Sequence, residues 1–227
     1  MCIRQNNTLK WNWILIGALI TLVCVFAGIF GLDQVLYSWI HNTQCNPWIF
    51  GDGFWCSAAF VLGKIFSANV WLIASVLSVI AFFIYKALTN ENDFRFAFVK
   101  IKNSYAFYLL CSVFMAIVTT GILKVLIGRS RPVLYEALNV TFFVPGTFEH
   151  VFNSMPSGHT AVSFAGLVMI GMLFPRIKWA TWTLAIVIGL SRIYIGAHWP
   201  SDVILAAFIG MLCADFAKAG LKNINAK

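Results

Sequence analysis

Charged side chains are scarce in this sequence. Asp, Glu, Lys and Arg make up 11% of its 227 residues, against about 25% in an average soluble domain. With 60% hydrophobic residues and a mean hydropathy of +0.83, the chain is neither a soluble domain, nor disordered, nor a small disulfide-stapled domain. It also lacks internal repeats, low-complexity tracts and any cysteine or histidine spacing typical of a metal site. We therefore expect an all-α membrane protein without metal or cofactor.

Long apolar runs stand where charges are missing. A helix that crosses a membrane needs about 20 mostly apolar residues. Three such runs in the first half of the chain carry no charge, whereas those in the second half have charges near their ends and the last is the least regular. The sequence predicts a single membrane domain over residues 1–227. Its six transmembrane helices are expected near residues 11–32, 65–85, 103–125, 157–175, 179–199 and 201–221.

The net charge of +8 comes from 16 Lys and Arg residues against 8 Asp and Glu residues. Because these charges lie between apolar runs rather than along a basic stripe, no nucleic-acid partner is expected. With six spans, eleven cations fall on the side of the two termini and five on the other. The positive-inside rule then predicts cytoplasmic termini. Four of the five outer cations cluster at the ends of the third to fifth spans, where ionisable groups are candidates for function.

The first outer loop, residues 33–64, is unusually rich in aromatic residues. The sequence leaves open whether it lies along the membrane surface or packs as a cap over the helices. Cys45 and Cys56 both lie in this loop, and in an oxidising compartment they are able to form a disulfide. Sequence alone does not supply the geometry that decides whether they do.

Three cations converge on the predicted outer surface. Lys124 and Arg131 are seven residues apart, nearly two helical turns, so we expect both to face the same direction. Arg192 follows at the outer end of the fifth span. Arginine forks suit phosphate oxygens and lysine acts as a point charge, so the set predicts an anion site. The alternative is that these are ordinary lysine and arginine side chains that extend to the membrane surface without binding an anion.

The fourth span opens with Pro156, Ser157, Gly158 and His159. The start of a helix offers unpaired N–H groups and a positive dipole end. Gly158 would let an anion approach the backbone, and Ser157 can cap the helix or donate a hydrogen bond. Such a terminus is a ready anion site, although serine–glycine turns before helices are also common.

His198 and Asp202 are four residues apart at the turn between the fifth and sixth spans. A carboxylate bonded to one imidazole nitrogen fixes the tautomer and raises the nucleophilicity of the other nitrogen. His159 is available as a general acid. Either histidine alone is better explained as a hydrogen-bonded interfacial residue, but the joint spacing reverses this and favours catalysis. No catalytic role is assigned to His41, His150, Arg129 or Glu136.

The three clusters together resemble the signature of the type 2 phosphatidic acid phosphatase (PAP2) family. That signature consists of K-x6-R-P, P-S-G-H and S-R-x5-H-x3-D, which residues 124–132, 156–159 and 191–202 match in every spacing. The resemblance covers spans three to six, whereas spans one and two match in hydropathy alone. It implies a six-span helical bundle with an outward-facing site. The hydropathy is not that of the family's soluble haloperoxidases, and the short loops are typical of a compact bacterial member in the inner membrane.

The resemblance also implies residue roles. His198 would attack phosphorus to form a phosphohistidine, Asp202 would support it, and His159 would protonate the leaving oxygen and later activate water. The reaction would need no metal. The phosphate would be held by Lys124, Arg131, Arg192, Ser157 and Gly158.

The expected partners are a lipid phosphate substrate and the bilayer. Candidate substrates are undecaprenyl diphosphate, phosphatidylglycerol phosphate, phosphatidic acid and lipid A phosphates, and the three cations do not separate a diphosphate from a monoester. A lipid phosphotransferase of the same fold is the main alternative function. A non-enzymatic transporter is a more remote one, since paired cations also occur on broken transporter helices. The sequence leaves the oligomeric state open.

Overall fold

The structure of the chain is a computed structural model that describes residues 10–45, 53–88 and 104–224, and all regular secondary structure in these ranges is helical. The predicted all-α class is confirmed. A π-helical turn, Gly28–Leu32, joins the first two helices, and short 3-10 helices lie at His150–Phe152 and Pro175–Ile177. The α-helices are α1 (Trp11–Ala27), α2 (Asp33–Ile40), α3 (Phe54–Ile65), α4 (Ala68–Leu88), α5 (Tyr105–Ile127), α6 (Pro132–Leu138), α7 (Gly158–Leu173), α8 (Lys178–Tyr194) and α9 (Pro200–Ile224).

Six of these helices, α1, α4, α5, α7, α8 and α9, correspond to the six predicted spans. Four helical segments are long and apolar enough to cross a membrane: Trp11–Ile40, Ala68–Tyr85, Tyr105–Ile127 and Pro200–Gly220. With 16 and 17 residues, α7 and α8 are each about 25 Å long, shorter than the hydrocarbon core of about 30 Å. The count of six spans therefore stays a prediction.

Helix α7 lies at the centre of the bundle and packs against α5, α8 and α9, while α4 packs on α5 and α1 on α9. Small residues allow this close approach, since a Cβ at Gly210 of α9 would lie 2.4 Å from the Ala161 carbonyl oxygen of α7. Around this core the outer faces of α1, α4 and α5 expose large apolar side chains such as Leu19, Ile73 and Phe114. Contiguous apolar surface of this kind belongs in lipid, so the chain is a membrane protein.

The first outer loop contains two helices that its hydropathy did not reveal, α2 and α3. Helix α3 packs against α8, and the side chains of Trp39 and Trp55 remain exposed. Cys45 and Cys56 form a disulfide with Cα atoms 5.4 Å apart, so the start of α3 is tied to the segment after α2. Residues 46–52 lie outside the described part of the chain. Helix α3 therefore packs against the bundle as a cap and does not simply lie along the membrane surface.

Candidate active site

The three sequence motifs meet at one end of the bundle, where α5 and α8 end and α7 and α9 begin. A cavity of 680 Å³ opens there. Six of the eight predicted site residues line it, and the other two, Ser157 and Asp202, lie fully buried behind its wall. The lining residues are Phe60, Gly63, Lys64, Ser67, Ala68, Asn69, Val70, Lys124, Arg131, His150, Gly158, His159, Arg192, Ile195, Ala197 and His198.

Lys124 and Arg131 both line the cavity, but Lys124 lies on α5 and Arg131 lies beyond its end. Helix α5 ends at Ile127, and Gly128 takes the left-handed conformation (φ 61°) that commonly terminates helices. A Cβ at Gly128 would lie 1.9 Å from the Val144 carbonyl oxygen, so only glycine fits there. The expectation that the two cations lie on one helix is therefore wrong, because the chain turns between them. Both nevertheless donate to the Asn153 carbonyl oxygen, over 2.5 Å from Lys124 Nζ and 3.4 Å from Arg131 Nη2.

Backbone carbonyl oxygens orient the Arg131 guanidinium. Its Nε donates to the His150 carbonyl oxygen over 2.9 Å, and its Nη1 donates to the Ala197 carbonyl oxygen over 3.1 Å. Burial lowers the pKa of Arg131 to about 10, although Asp202 acts in the opposite direction, so the group stays protonated at neutral pH. Carbonyl oxygens carry no full negative charge, so these contacts orient the fork without neutralising it.

The third cation, Arg192, lies between α8 and α3. Its guanidinium donates to the Ala59 carbonyl oxygen and to Ser191 Oγ. A Cβ at Gly63 would come within 2.0 Å of Arg192 Nη1, so the α3 backbone packs directly on this guanidinium. The Arg192 carbonyl oxygen accepts N–H bonds from Ala197 and His198, which ties the loop after α8 to the same residue.

The start of α7 supplies the second motif. Gly158 and His159 line the cavity from the first helical turn, and His159 forms a hydrogen bond with the Gly63 backbone. Ser157 precedes the helix, with its N–H donating to the Asp202 carbonyl oxygen and its Oγ accepting from Thr160. Because Ser157 is fully buried and does not line the cavity, a phosphate contact of its side chain stays a prediction.

His198 lies in the loop between α8 and α9, and Asp202 lies in the first turn of α9. His198 Nδ1 and Asp202 Oδ2 are 3.7 Å apart, longer than a hydrogen bond but close enough for a small rotation to form one. Such catalytic contacts often tighten when substrate binds. Asp202 Oδ2 also accepts from the Trp199 N–H over 3.0 Å and from Ser154 Oγ over 2.5 Å. The carboxylate thereby caps the helix start and stays fixed beside the imidazole.

The protonation state of His198 suits a nucleophile. Burial lowers the pKa of its imidazole well below the ordinary value of 6.5, and the positive charges of Arg131 and Lys124 act in the same direction, while Asp202 opposes them. The ring is therefore neutral at physiological pH. A neutral imidazole whose Nδ1–H points at a carboxylate presents its Nε2 lone pair to the cavity.

Sequence reasoning missed several residues of this site. Arg129, given no role, is 1% exposed and joins Asp202 to Asp33. His150, also set aside, lines the cavity with its Nε2 3.2 Å from Arg131 Nη2. One signal was present for Asp33, which is the only charged residue in the apolar stretch of residues 11–40. A lone acid at such a position is a candidate for function by default.

The three motifs lie within a region of the chain that matches a known protein family. Residues 105–225, more than half of the chain, match the model of the PAP2 superfamily. A lipid A 1-phosphatase from Rhizobium johnstonii is 33% identical over 169 residues, which are 69% of this chain and 66% of that protein. An undecaprenyl-diphosphatase from Sulfolobus acidocaldarius is 31% identical over 104 residues, 45% of this chain and 48% of that protein. The alignments thus span less than two thirds of the length of either relative.

The fold has a counterpart among solved structures. The crystal structure of Aquifex aeolicus LpxE superimposes with a TM-score of 0.51 and 21% sequence identity, covering 82% of this chain and 94% of that one. At this identity the likeness concerns the fold alone. It extends beyond the matched family region into the N-terminal half, where the sequence offered only hydropathy.

Proposed function

The chain belongs to the PAP2 superfamily, and on that basis we propose that it is a membrane phosphatase that removes phosphate from the headgroup of a lipid. One observation carries the proposal. The 680 Å³ cavity brings two histidines from different helix ends together with three cations from separate motifs. An anion-binding scaffold would need the cations, but it would not need a buried imidazole beside a carboxylate.

Phosphate binding falls to Lys124, Arg131 and Arg192. Each is held by backbone carbonyl oxygens or a hydroxyl, so none has its charge cancelled by these contacts. Fixed cations of this kind stabilise the charge that builds on the equatorial oxygens during phosphoryl transfer. The N-terminus of α7 at Gly158 adds backbone N–H groups and a positive dipole end.

The first chemical step forms a phosphohistidine. His198 Nε2 attacks phosphorus, and the bond from phosphorus to the leaving oxygen breaks. His159, which becomes protonated once the bound phosphate anion offsets the three cations, gives its proton to that oxygen. The imidazole gains a positive charge when it binds phosphorus, and Asp202 stabilises that charge through Nδ1–H. Because Nδ1 becomes more acidic as the bond forms, the 3.7 Å gap to Asp202 is expected to close during the step.

The second step returns the enzyme to its starting state. His159, now neutral, takes a proton from a water molecule as the water oxygen attacks phosphorus. The phosphorus–nitrogen bond of His198 breaks and inorganic phosphate leaves. The described residues contain no group of three or more His, Cys, Asp or Glu side chains that could hold a metal ion, and the proposed steps use only side chains of the chain.

The size of the cavity favours a headgroup larger than one phosphate. A volume of 680 Å³ lies in the range that holds a drug-sized ligand. Its far wall, at the junction of α3 and α4, mixes the cation Lys64 with Ser67, Asn69 and apolar groups. We place the leaving group against this wall. Lipids whose phosphate is followed by a second phosphate or a sugar should therefore be better substrates than phosphatidic acid.

The site is proposed to face the outside of the inner membrane, with both termini in the cytoplasm. The charge distribution of the sequence supports this orientation. The Cys45–Cys56 disulfide supports it independently, because it lies next to the site end of the bundle and disulfides persist in oxidising compartments.

The test is phosphate release in detergent with EDTA present, from undecaprenyl diphosphate, lipid A, phosphatidylglycerol phosphate and phosphatidic acid. We expect release by the wild type, a fall of about 10⁴-fold or more in His198→Ala, and little change in His41→Ala. His41 is a matched control because its side chain is also buried but bonds the Tyr194 carbonyl oxygen.

Full activity in His198→Ala would remove the proposed nucleophile, and loss of activity in EDTA would contradict the metal-free mechanism. Absence of free phosphate, with phosphate appearing on an added acceptor lipid, would favour the phosphotransferase. Lipid flux in liposomes that survives the loss of both His159 and His198 would favour the transporter.

A further inference from the structure

Asp33 is a buried carboxylate in a part of the chain that precedes the matched family region. It begins α2 and is 1% exposed. Its Oδ1 accepts from the Ser201 N–H over 2.9 Å, and its Oδ2 accepts from Ser201 Oγ over 2.5 Å. Oδ2 also accepts from Arg129 Nη2 over 2.7 Å. Asp33 thus binds both the start of α9 and the arginine next to the site.

Arg129 connects this carboxylate to the one beside His198. Its Nη1 donates to Asp202 Oδ1 over 2.8 Å and to Ser201 Oγ over 2.7 Å. One guanidinium is therefore shared by two carboxylates, and the group carries a net charge of one negative unit. Burying three charges is expensive, and such clusters are weak evidence for stability. What matters for the site is how much negative charge Asp202 keeps when Arg129 is shared with Asp33.

The break between α1 and α2 puts Asp33 in place. The backbone leaves helical geometry at Phe30 and Gly31, where Gly31 has φ 123°. Gly28 allows the close approach that follows, since a Cβ there would lie 2.7 Å from Ser201 Cβ and 2.8 Å from Asp33 Oδ2. The N-terminal segment is thereby folded onto the first turn of α9 through a specific polar contact and not only through apolar packing.

We propose that Asp33 is a positioning residue of the active site, which holds Arg129 and through it sets the orientation and the available negative charge of Asp202 beside His198. This inference rests on the proposed function. With Asp33 ionised, Arg129 divides its hydrogen bonds and its charge between two carboxylates. Without that charge, Arg129 pairs with Asp202 alone and cancels the charge that should stabilise the phosphorylated imidazole.

The charges around His198 define what a change at Asp33 should do. Lys124, Arg131 and Arg192 face the same cavity and disfavour an imidazolium, His159 and His150 line it as well, and Asp202 is the nearest acid. Cancelling the charge of Asp202 makes protonation of His198 harder. The acid limb of the kcat/KM profile is the loss of activity at low pH, and it reports protonation of the free enzyme. This limb should then move to lower pH while kcat falls.

The experiment compares Asp33→Asn with the wild type as purified full-length protein. Asparagine keeps the size of the side chain and removes the charge. We expect kcat to fall by about ten- to a hundredfold, the range known for outer hydrogen-bond partners that orient metal-binding histidines. KM should stay within about threefold, because no phosphate contact is lost. The acid limb of kcat/KM should shift to lower pH.

Asp215→Asn is the matched control. Asp215 is also buried, with 3% exposure, and it lies thirteen residues further along α9, about 20 Å from Asp202. Its substitution tests what loss of a buried carboxylate does to folding, with kcat per folded molecule and the acid limb expected to stay at wild-type values. The double variant Asp33→Asn/Arg129→Gln restores one net negative charge, so its acid limb should return toward the wild-type position even though kcat stays low.

An unmoved acid limb in Asp33→Asn, with activity falling only in proportion to folded protein, would overturn the inference. If Asp33→Asn does not fold, Ser201→Ala keeps every charge and removes the hydroxyl that bonds Asp33 and Arg129. We then expect a lower kcat with an unmoved limb, and a wild-type kcat would overturn the inference. Neither result bears on the nucleophile, which the His198→Ala comparison tests separately.

Discussion

At the scale of single residues, the proposed site contains two kinds of cation. Lys124 and Arg131 donate to carbonyl oxygens at the cavity, contacts that do not cancel a positive charge. Arg129, by contrast, is enclosed between two carboxylates and stacks over the Trp199 ring, with its Cζ 5.4 Å from the ring centre. A single motif, residues 124–132, therefore supplies both kinds of cation.

The first prediction concerns the pH dependence of the reaction. In the proposed mechanism His198 attacks as a neutral ring, so activity should be lost when falling pH protonates it. Because burial and the nearby cations lower its pKa, the free enzyme should stay active as the pH falls through 6.5, and the acid limb of kcat/KM should lie below that value. The profile is measured after correction for titration of the substrate phosphate. An acid limb at or above 6.5 would mean that His198 is not held neutral by its surroundings.

At the scale of elements, α3 is the helix that hydropathy did not reveal and that the site needs. It places the Ala59 and Gly63 backbone against Arg192 and forms one wall of the cavity. Helices α2 and α3 have only 8 and 12 residues, so they do not stand out by hydropathy from an aromatic loop. The sequence thus predicts the helices that carry the motifs, whereas it leaves open whether the first outer loop forms the cap that completes the cavity.

Gly63→Ala tests this contact. The added Cβ would collide with the guanidinium of Arg192, which is the movable end of a flexible side chain, so the protein should fold with Arg192 displaced. Loss of one phosphate donor should lower kcat/KM by about a hundredfold, with little change in thermal stability.

Gly121→Ala is the matched control, because a Cβ at this glycine of α5 has no neighbour within 4 Å. It should keep wild-type activity and gain up to about 1 kcal/mol of stability from helix propensity. Equal activity of Gly63→Ala and Gly121→Ala would show that Arg192 does not contribute from its position against α3.

At the scale of the whole molecule, the chain folds three sequence motifs and one unmarked N-terminal acid into a single site. The motifs could be found because each is contiguous, and their spacings predict histidines and cations at helix ends. The contacts that link Arg129, Asp33 and Ser201 could not be found from the sequence, because Asp33 lies 96 residues from Arg129 and 168 residues from Ser201. Nor did helical spacing place Arg131, since Gly128 ends α5 before that residue. Long-range pairing of this kind leaves no periodic pattern in one sequence.

The orientation in the membrane is a prediction of the whole molecule. Lys64 lines the cavity and Arg176 is exposed between α7 and α8, on what should be opposite sides of the membrane. With Cys2, Cys24, Cys111 and Cys213 replaced, a membrane-impermeant maleimide added to intact spheroplasts should label Lys64→Cys and spare Arg176→Cys. Permeabilisation should expose the second site, and the reverse pattern would place the active site in the cytoplasm.

The central claim is that His198 carries the phosphoryl group, and trapping that group tests it most directly. In His159→Ala the phosphohistidine should form and persist, because water activation is lost while the leaving phosphate of a diphosphate needs little help from an acid. After acid-free quenching of this variant with a lipid diphosphate labelled on its terminal phosphate, the label should lie on the peptide that contains His198 and be released by acid. Label on another residue, or turnover that continues without label when His198 is replaced by alanine, would contradict the account.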